Sequence, residues 1–195
     1  LELLWVSMCP VNCDFDSKIV KEHKTSLFVK DYHNLSEDIR VSERDADNVL
    51  IEELNDIDGD MEIISYSGIP QPIPNKRFIN GKETYYRKRS ISWNALKHAG
   101  FKCEVDDKHI SFIRIHPEVV YMEPHHLVPM AYQNLFDVSL DREQNIISLC
   151  SNCHNEIHYG KNRKDIVEKM YEQRKYLLAE AGINITLEEL LHMYS

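Results

Sequence analysis

Residues 149–160 read LCSNCHNEIHYG, with two cysteines and two histidines in twelve positions. Cys150 and Cys153 form a C-x-x-C knuckle, the usual half of a tetrahedral zinc site. His154 and His158 stand four apart on a predicted helix that Gly160 stops. At that spacing both imidazoles leave one helical face and can meet one metal. Whether the stretch serves one metal, two or none depends on what else in the chain reaches it.

Cys103 lies in FKCEVDDKHI, with Asp106 three residues on and His109 six residues on. A second C-x-x-C is missing, because Asp106 takes its second position. Cys103, Cys150 and Cys153 therefore supply three thiolates, and His109 or Asp106 completes the set. His109 is preferred, since imidazole is the commoner partner of thiolate on zinc. The alternatives are a zinc with three protein ligands, or no zinc. His125 and His126 form a tandem at the end of a predicted strand. Neighbours on a strand point to opposite sides, so one imidazole can ligate while the other stays free as a base. A buried structural pair is the plainer alternative.

YMEPHHLVPM followed by NIISLCSNCHNEIHYG resembles the HNH endonucleases, with their ββα-metal fold. The similarity is strongest to the cysteine-stapled branch found in modified-DNA restriction enzymes. It covers roughly residues 85–160. Asn145 precedes His154 by nine residues and His158 by thirteen, a spacing shared with colicin-type nucleases. The departure is Asp106 where a second cysteine is usual. The resemblance implies His125, His154 and His158 as ligands of a catalytic ion. It implies His126 as general base, and Asn145 as a brace for the loop that also orients His126. Glu123, two residues before His125, is read as a partner behind the metal ligands. The opening stretch then serves two metals: a structural zinc on Cys103, His109, Cys150 and Cys153, and a catalytic ion on the histidines. Three imidazoles favour Mn²⁺, Co²⁺, Ni²⁺ or Zn²⁺ in binding, with Mg²⁺ still able to support turnover.

Charge is unevenly spread. The net value of −9 speaks against nucleic acid, yet residues 1–75 alone carry −10. Residues 76–102 hold eight basic residues and one acidic residue, Glu83. Such a patch can bind phosphates in an acidic chain, because screening acts over about 8 Å at physiological salt; a solvated basic segment is the plainer alternative. Arg87, Lys88, Arg89, Lys161, Arg163 and Lys164 are the expected backbone contacts to DNA. The segment GIPQPIPNK, 68–76, reads as an extended connector at the charge change. The expected organisation is an acidic N-terminal module over 1–70, the connector over 68–76, and the nuclease domain with its trailing helices over 77–195.

The expected fold class is α+β: a zinc-stapled ββα domain after a small mixed α/β segment. LELLWVSM, SLFVKDY and MEIISYS look like strands, and DADNVLIEELNDI like a short helix. HISFIRI, VVYMEPHHL and NIISLC read as strands. SWNALKHAG reads as a helix capped by Ser92 and ended by Gly100. RKDIVEKMYEQRKYLLAEAG reads as a helix with Ile166, Met170, Leu177 and Ala181 on its apolar face. Thr186 and Glu189 form a capping-box pattern. A hydrophobic share of 43% supports a packed core, and no apolar run approaches a membrane span. Five cysteines without a leader argue for a reducing, cytoplasmic setting. Cys9 and Cys13 are read as ordinary cysteines. The opening LELLWVSMCP, with neither Met nor a basic leader, suggests a piece of a longer or trimmed polypeptide.

The expected function is metal-dependent cleavage of DNA in restriction or defence. The alternatives are a zinc-stapled nucleic-acid-binding module without cleavage, and an interaction protein that docks a partner or missing domain through its acidic segment.

Overall fold

The computed structural model describes residues 37–57 and 64–195, with side chains from residue 42 onward. The expected strands LELLWVSM and SLFVKDY, the start of MEIISYS, Cys9 and Cys13 lie outside the described residues. Helix α1, Glu37–Glu53, continues as a 3-10 turn, Leu54–Asp56. It is longer than the expected short helix. Ala46, Leu50 and Leu54 recur every four residues and are fully buried. Glu43 and Asp47, on an adjoining row, are also buried.

The antiparallel hairpin of β1, Lys76–Ile79, and β2, Lys82–Tyr85, follows. Asn80 and Gly81 turn it, with φ of 50° and 77°. Positive φ at both central residues matches the right-handed twist of the flanking strands, and Asn-Gly supplies it. Helix α2, Arg89–His98, begins one turn earlier than expected, so Ser92 is buried within it rather than capping it. The carboxylate of Asp141 accepts from the amide of Lys88 at 2.7 Å and takes over the N-terminus.

Strand β3, Glu123–His126, pairs antiparallel with β4, Ile146–Leu149, with His126 opposite Ile146. All eight residues are buried. Helix α3, Ser151–Tyr159, leaves the end of β4 directly, and α2 and α3 both pack on the strand pair. The run HISFIRI is not a strand: it makes one isolated bridge, Ile113 to Val120, and leaves Ile110, Phe112, Ile113 and Ile115 exposed.

Helix α4, Arg163–Glu180, buries Ile166, Val167, Met170, Arg174 and Leu178. Leu178, rather than the expected Leu177, carries the inner face, and Ala181 is buried after the helix ends. Helix α5, Leu187–Met193, opens on the expected capping box of Thr186 and Glu189.

Asp38–Ser195 form one unit, so α1 belongs with the residues after the connector. The expected break at 68–76 does not divide that unit. Ser139 N donates to Gln71 O at 2.8 Å and Arg142 donates to Ile69 O at 2.7 Å, while Arg142 and Gln144 hold Ser67 O just before the connector. A β-carbon on Gly182 would stand 3.4 Å from Pro70, so the connector rests against the end of α4. The architecture is α+β, helices around two small antiparallel sheets. Among the described residues, no helix is long and apolar enough to cross a membrane.

Candidate metal centres

The first cluster unites Cys103, His109, Cys150 and Cys153, whose ligand atoms lie within 4.8 Å of one another. Cys150 and Cys153 come from the end of β4 and the first turn of α3. Cys103 arrives because its neighbour follows the free edge of β4. Glu104 N donates to Ser148 O at 2.9 Å, and Ser148 N donates to the Glu104 carboxylate at 2.6 Å. His109 Nδ1 stands 3.3 Å from Cys153 Sγ and 3.7 Å from Cys150 Sγ. Around a zinc ion such N and S ligands are separated by roughly 3.5 Å. Asp106 instead accepts from Lys108 N within its own turn. Burial opposes a charge on Cys103, but the backbone of Cys150, Asp106 and Val105 and the His109 side chain hold its pKa at about 7. Burial and the Cys103 charge push Cys153 up. Three thiolates at this spacing repel one another, and a divalent cation removes that conflict.

The second cluster unites His125, His154, His158 and Asp47, again within 4.8 Å. Alternation along β3 turns His125 toward α3. His154 and His158 leave one face of that helix, with Nε2 atoms 3.2 Å apart. The outer atoms of two rings are fixed. Glu123 Oε2 accepts from His154 Nδ1, which turns His154 Nε2 inward. Tyr194 donates to Leu127 O at 2.8 Å and accepts from His125 Nε2 at 3.0 Å. His125 Nδ1 is thereby left as a lone pair facing the cluster, buried and without a hydrogen-bond partner among the described residues. Burial lowers the His125 pKa to about 3, so the ring is neutral, as a ligand must be. Burial also opposes the charge on Glu123, but hydrogen bonds from His154, Ser151 and Tyr121 hold it at about 2. An orphaned imidazole nitrogen among two more imidazoles and a carboxylate fits a borderline divalent ion.

His126 points the other way. Its Nε2 donates to Asp141 Oδ1 at 3.0 Å, and its buried Nδ1 has no hydrogen-bond partner among the described residues. Asn145 acts on backbone alone. It accepts from Val128 N at 2.8 Å and donates to Val128 O and Leu140 O at 2.9 Å each. The loop brace therefore sits where expected, but the group that orients His126 is Asp141. Sequence reasoning missed Asp141, Asp47 and Tyr194. Asp141, four residues before Asn145, carried a local signal; the other two are brought in from distant elements.

The chain matches one curated protein over 104 residues at 29% identity: the Type IV methyl-directed restriction enzyme EcoKMcrA of Escherichia coli strain K12. The similarity is to a restriction enzyme. It covers 53% of this chain and 34% of the relative, so the chain spans about a third of the length of that relative. Among solved structures, the Type IV phosphorothioation-dependent restriction endonuclease ScoMcrA aligns over 76% of this chain and 25% of its own, at 16% identity and a TM-score of 0.40. No family profile matches the chain.

Of the expected DNA contacts, Lys88, Arg89, Lys161 and Lys164 are exposed. Arg87 is a correction. It is fully buried, with Nη2 on Glu43 at 2.8 Å and Nη1 on Asp47. A guanidinium enclosed between two carboxylates on α1 cannot grip a phosphate in this arrangement. Arg163 is half-buried and donates to Tyr194 O at 2.6 Å, which ties α4 to the C-terminus.

Proposed function

We propose that this chain is a metal-dependent HNH endonuclease that hydrolyses DNA phosphodiester bonds in restriction or defence against foreign DNA. One observation carries the reading. Three imidazole nitrogens converge from β3 and α3 at ligand spacing, while the adjacent His126 faces an aspartate instead of the cluster. The order β3, β4, α3 and the similarity to a methyl-directed restriction enzyme support it.

His125, His154 and His158 hold the catalytic ion, which when bound polarises a phosphate oxygen and stabilises the leaving 3′ oxygen. His126 accepts the proton of the attacking water at Nδ1. Asp141, on Nε2–H, fixes the tautomer that leaves Nδ1 free and stabilises the imidazolium that forms. Glu123 and Tyr194 keep two ligand rings turned inward. Asn145 holds the loop between His126 and Asp141 in shape. The products carry 5′-phosphate and 3′-hydroxyl ends. Cys103, His109, Cys150 and Cys153 hold a structural zinc that joins β4 to α3. Lys88, Arg89, Lys161 and Lys164 contact backbone phosphates, which position the duplex without reading its sequence.

The test is incubation with supercoiled plasmid, methylated and unmethylated, across Mg²⁺, Mn²⁺, Co²⁺, Ni²⁺ and Zn²⁺. Metal-dependent nicking that His126→Ala removes is the expected result. A protein that binds DNA but never cuts it would favour the zinc-stapled binding module.

A further inference from the structure

Asp47 approaches the imidazole cluster from outside the strand–strand–helix unit. Its Oδ2 stands 3.1 Å from His158 Nε2, 3.3 Å from His154 Nε2 and 3.6 Å from His125 Nδ1. Ligand atoms about 2.0–2.1 Å from a common ion stand roughly 2.9–3.4 Å apart at octahedral to tetrahedral angles. The carboxylate oxygen therefore sits at a ligand vertex beside the three nitrogens.

The other oxygen of Asp47 is held by Arg87. One carboxylate thus spans a metal vertex and a guanidinium. A phosphate, with two non-bridging oxygens, can span the same two partners. Helix α1 carries seven acidic and two basic residues, so it is anionic as DNA is. It is also anchored well. Glu43 pairs with Arg87, Glu53 with Arg77 at 2.7 Å, and Arg44 donates to Asn155 Oδ1 at 3.2 Å and lies 3.8 Å from the Glu123 carboxylate. Under this cover His125, His126, His154 and His158 are all buried. Catalytic centres keep a position open for substrate, whereas closed sets of four protein ligands are a mark of structural ones.

We infer that Asp47 is a fourth protein ligand of the His125/His154/His158 centre, and that α1 holds the nuclease closed in the place of a DNA phosphate. Cleavage requires Asp47 to yield its vertex to a phosphate oxygen and Arg87 to exchange carboxylates for phosphate. This rests on the metal-centre reading above.

Mn²⁺ titration calorimetry on the full chain, as wild type, Asp47→Asn and His158→Ala, tests the ligand. Asparagine keeps the shape of the side chain and an oxygen for Arg87 but removes the anionic ligand. Affinity should fall at least tenfold in both variants. Unchanged affinity in Asp47→Asn with a loss in His158→Ala would overturn the ligand and leave the centre standing. Unchanged affinity in both would overturn the centre itself.

A second measurement needs no variant. Amide exchange across residues 42–53 of the wild type should slow when Mn²⁺ is added, because a ligand on α1 ties the helix to the ion. Exchange that ignores the ion would overturn the proposal. At saturating Mn²⁺, Asp47→Asn should nick plasmid several-fold faster than wild type. Slower nicking would make Asp47 part of the working centre and overturn the closure.

Discussion

His125 and His126 are adjacent in sequence and face different partners, Tyr194 and Asp141, because a strand sends neighbours to opposite faces. Their alanine variants should fail differently. His125→Ala removes one of the imidazole ligands, so Mn²⁺ affinity drops and excess Mn²⁺ restores part of the nicking. His126→Ala keeps the ion but slows the chemical step by roughly 10²–10⁴-fold, the range of general-base catalysis, with no rescue by metal. Retained nicking by His126→Ala would show that another group takes the proton. Asp141→Asn presents an amide N–H to His126 Nε2 and favours the wrong tautomer. A rate loss on the order of 10²-fold or more, with Mn²⁺ affinity unchanged by calorimetry, is expected. Asn145→Ala acts on stability instead. It leaves buried backbone groups of Val128 and Leu140 without their partner, at a cost of about 2–4 kcal/mol in urea unfolding.

At the scale of elements, α3 is short and depends on what joins it to β4. Cys150 and Cys153 straddle that junction, and Cys103 and His109 reach it from the segment beside β4. A metal at this point supplies folding free energy directly. Metal analysis should find about one tightly held zinc per chain, as expected for a Cys₃His set. Cys153→Ser should destabilise the unit by several kcal/mol and expose α3 to proteolysis. A protein that melts at the same temperature with and without a strong chelator would show that no metal holds this junction together. The β1–β2 hairpin needs no such staple, because Asn80-Gly81 builds its turn from local preference.

For the whole molecule, the decisive contact is between α1 and the residues after the connector. A chain starting at residue 76 loses Glu43 and Asp47, the two carboxylates that pair with Arg87, and uncovers the surface that α1 buries. The buried ion pairs of Arg87 are then lost from the fold. Loss of Ala46, Leu50 and Leu54 from the core adds to it. Urea unfolding should place the chain from residue 76 far below the full chain, with a weaker, less cooperative transition. Equal stability would mean that α1 adds nothing to the fold.

Local chemistry was enough for the parts that local chemistry builds. The knuckle at Cys150 and Cys153, the helical spacing of His154 and His158, the opposed pair on β3, the Asn145 loop brace and the Thr186 capping box were all legible, because each is set by spacing along one element. Glu123 was legible for the same reason, two residues from His125 on one face of a strand. Composition misled where it treated charge as exposure. Arg87 reads as a phosphate contact in a basic run, yet it is buried, because the acidic α1 folds over it. The connector reads as a boundary, yet its Gln71 and Ile69 carbonyls are bonded to Ser139 and Arg142. Asp47 joins three histidines that lie 78 to 111 residues further on. No periodicity spans such a distance: only the docking of α1, driven by its apolar stripe and its carboxylates, brings that oxygen to the cluster.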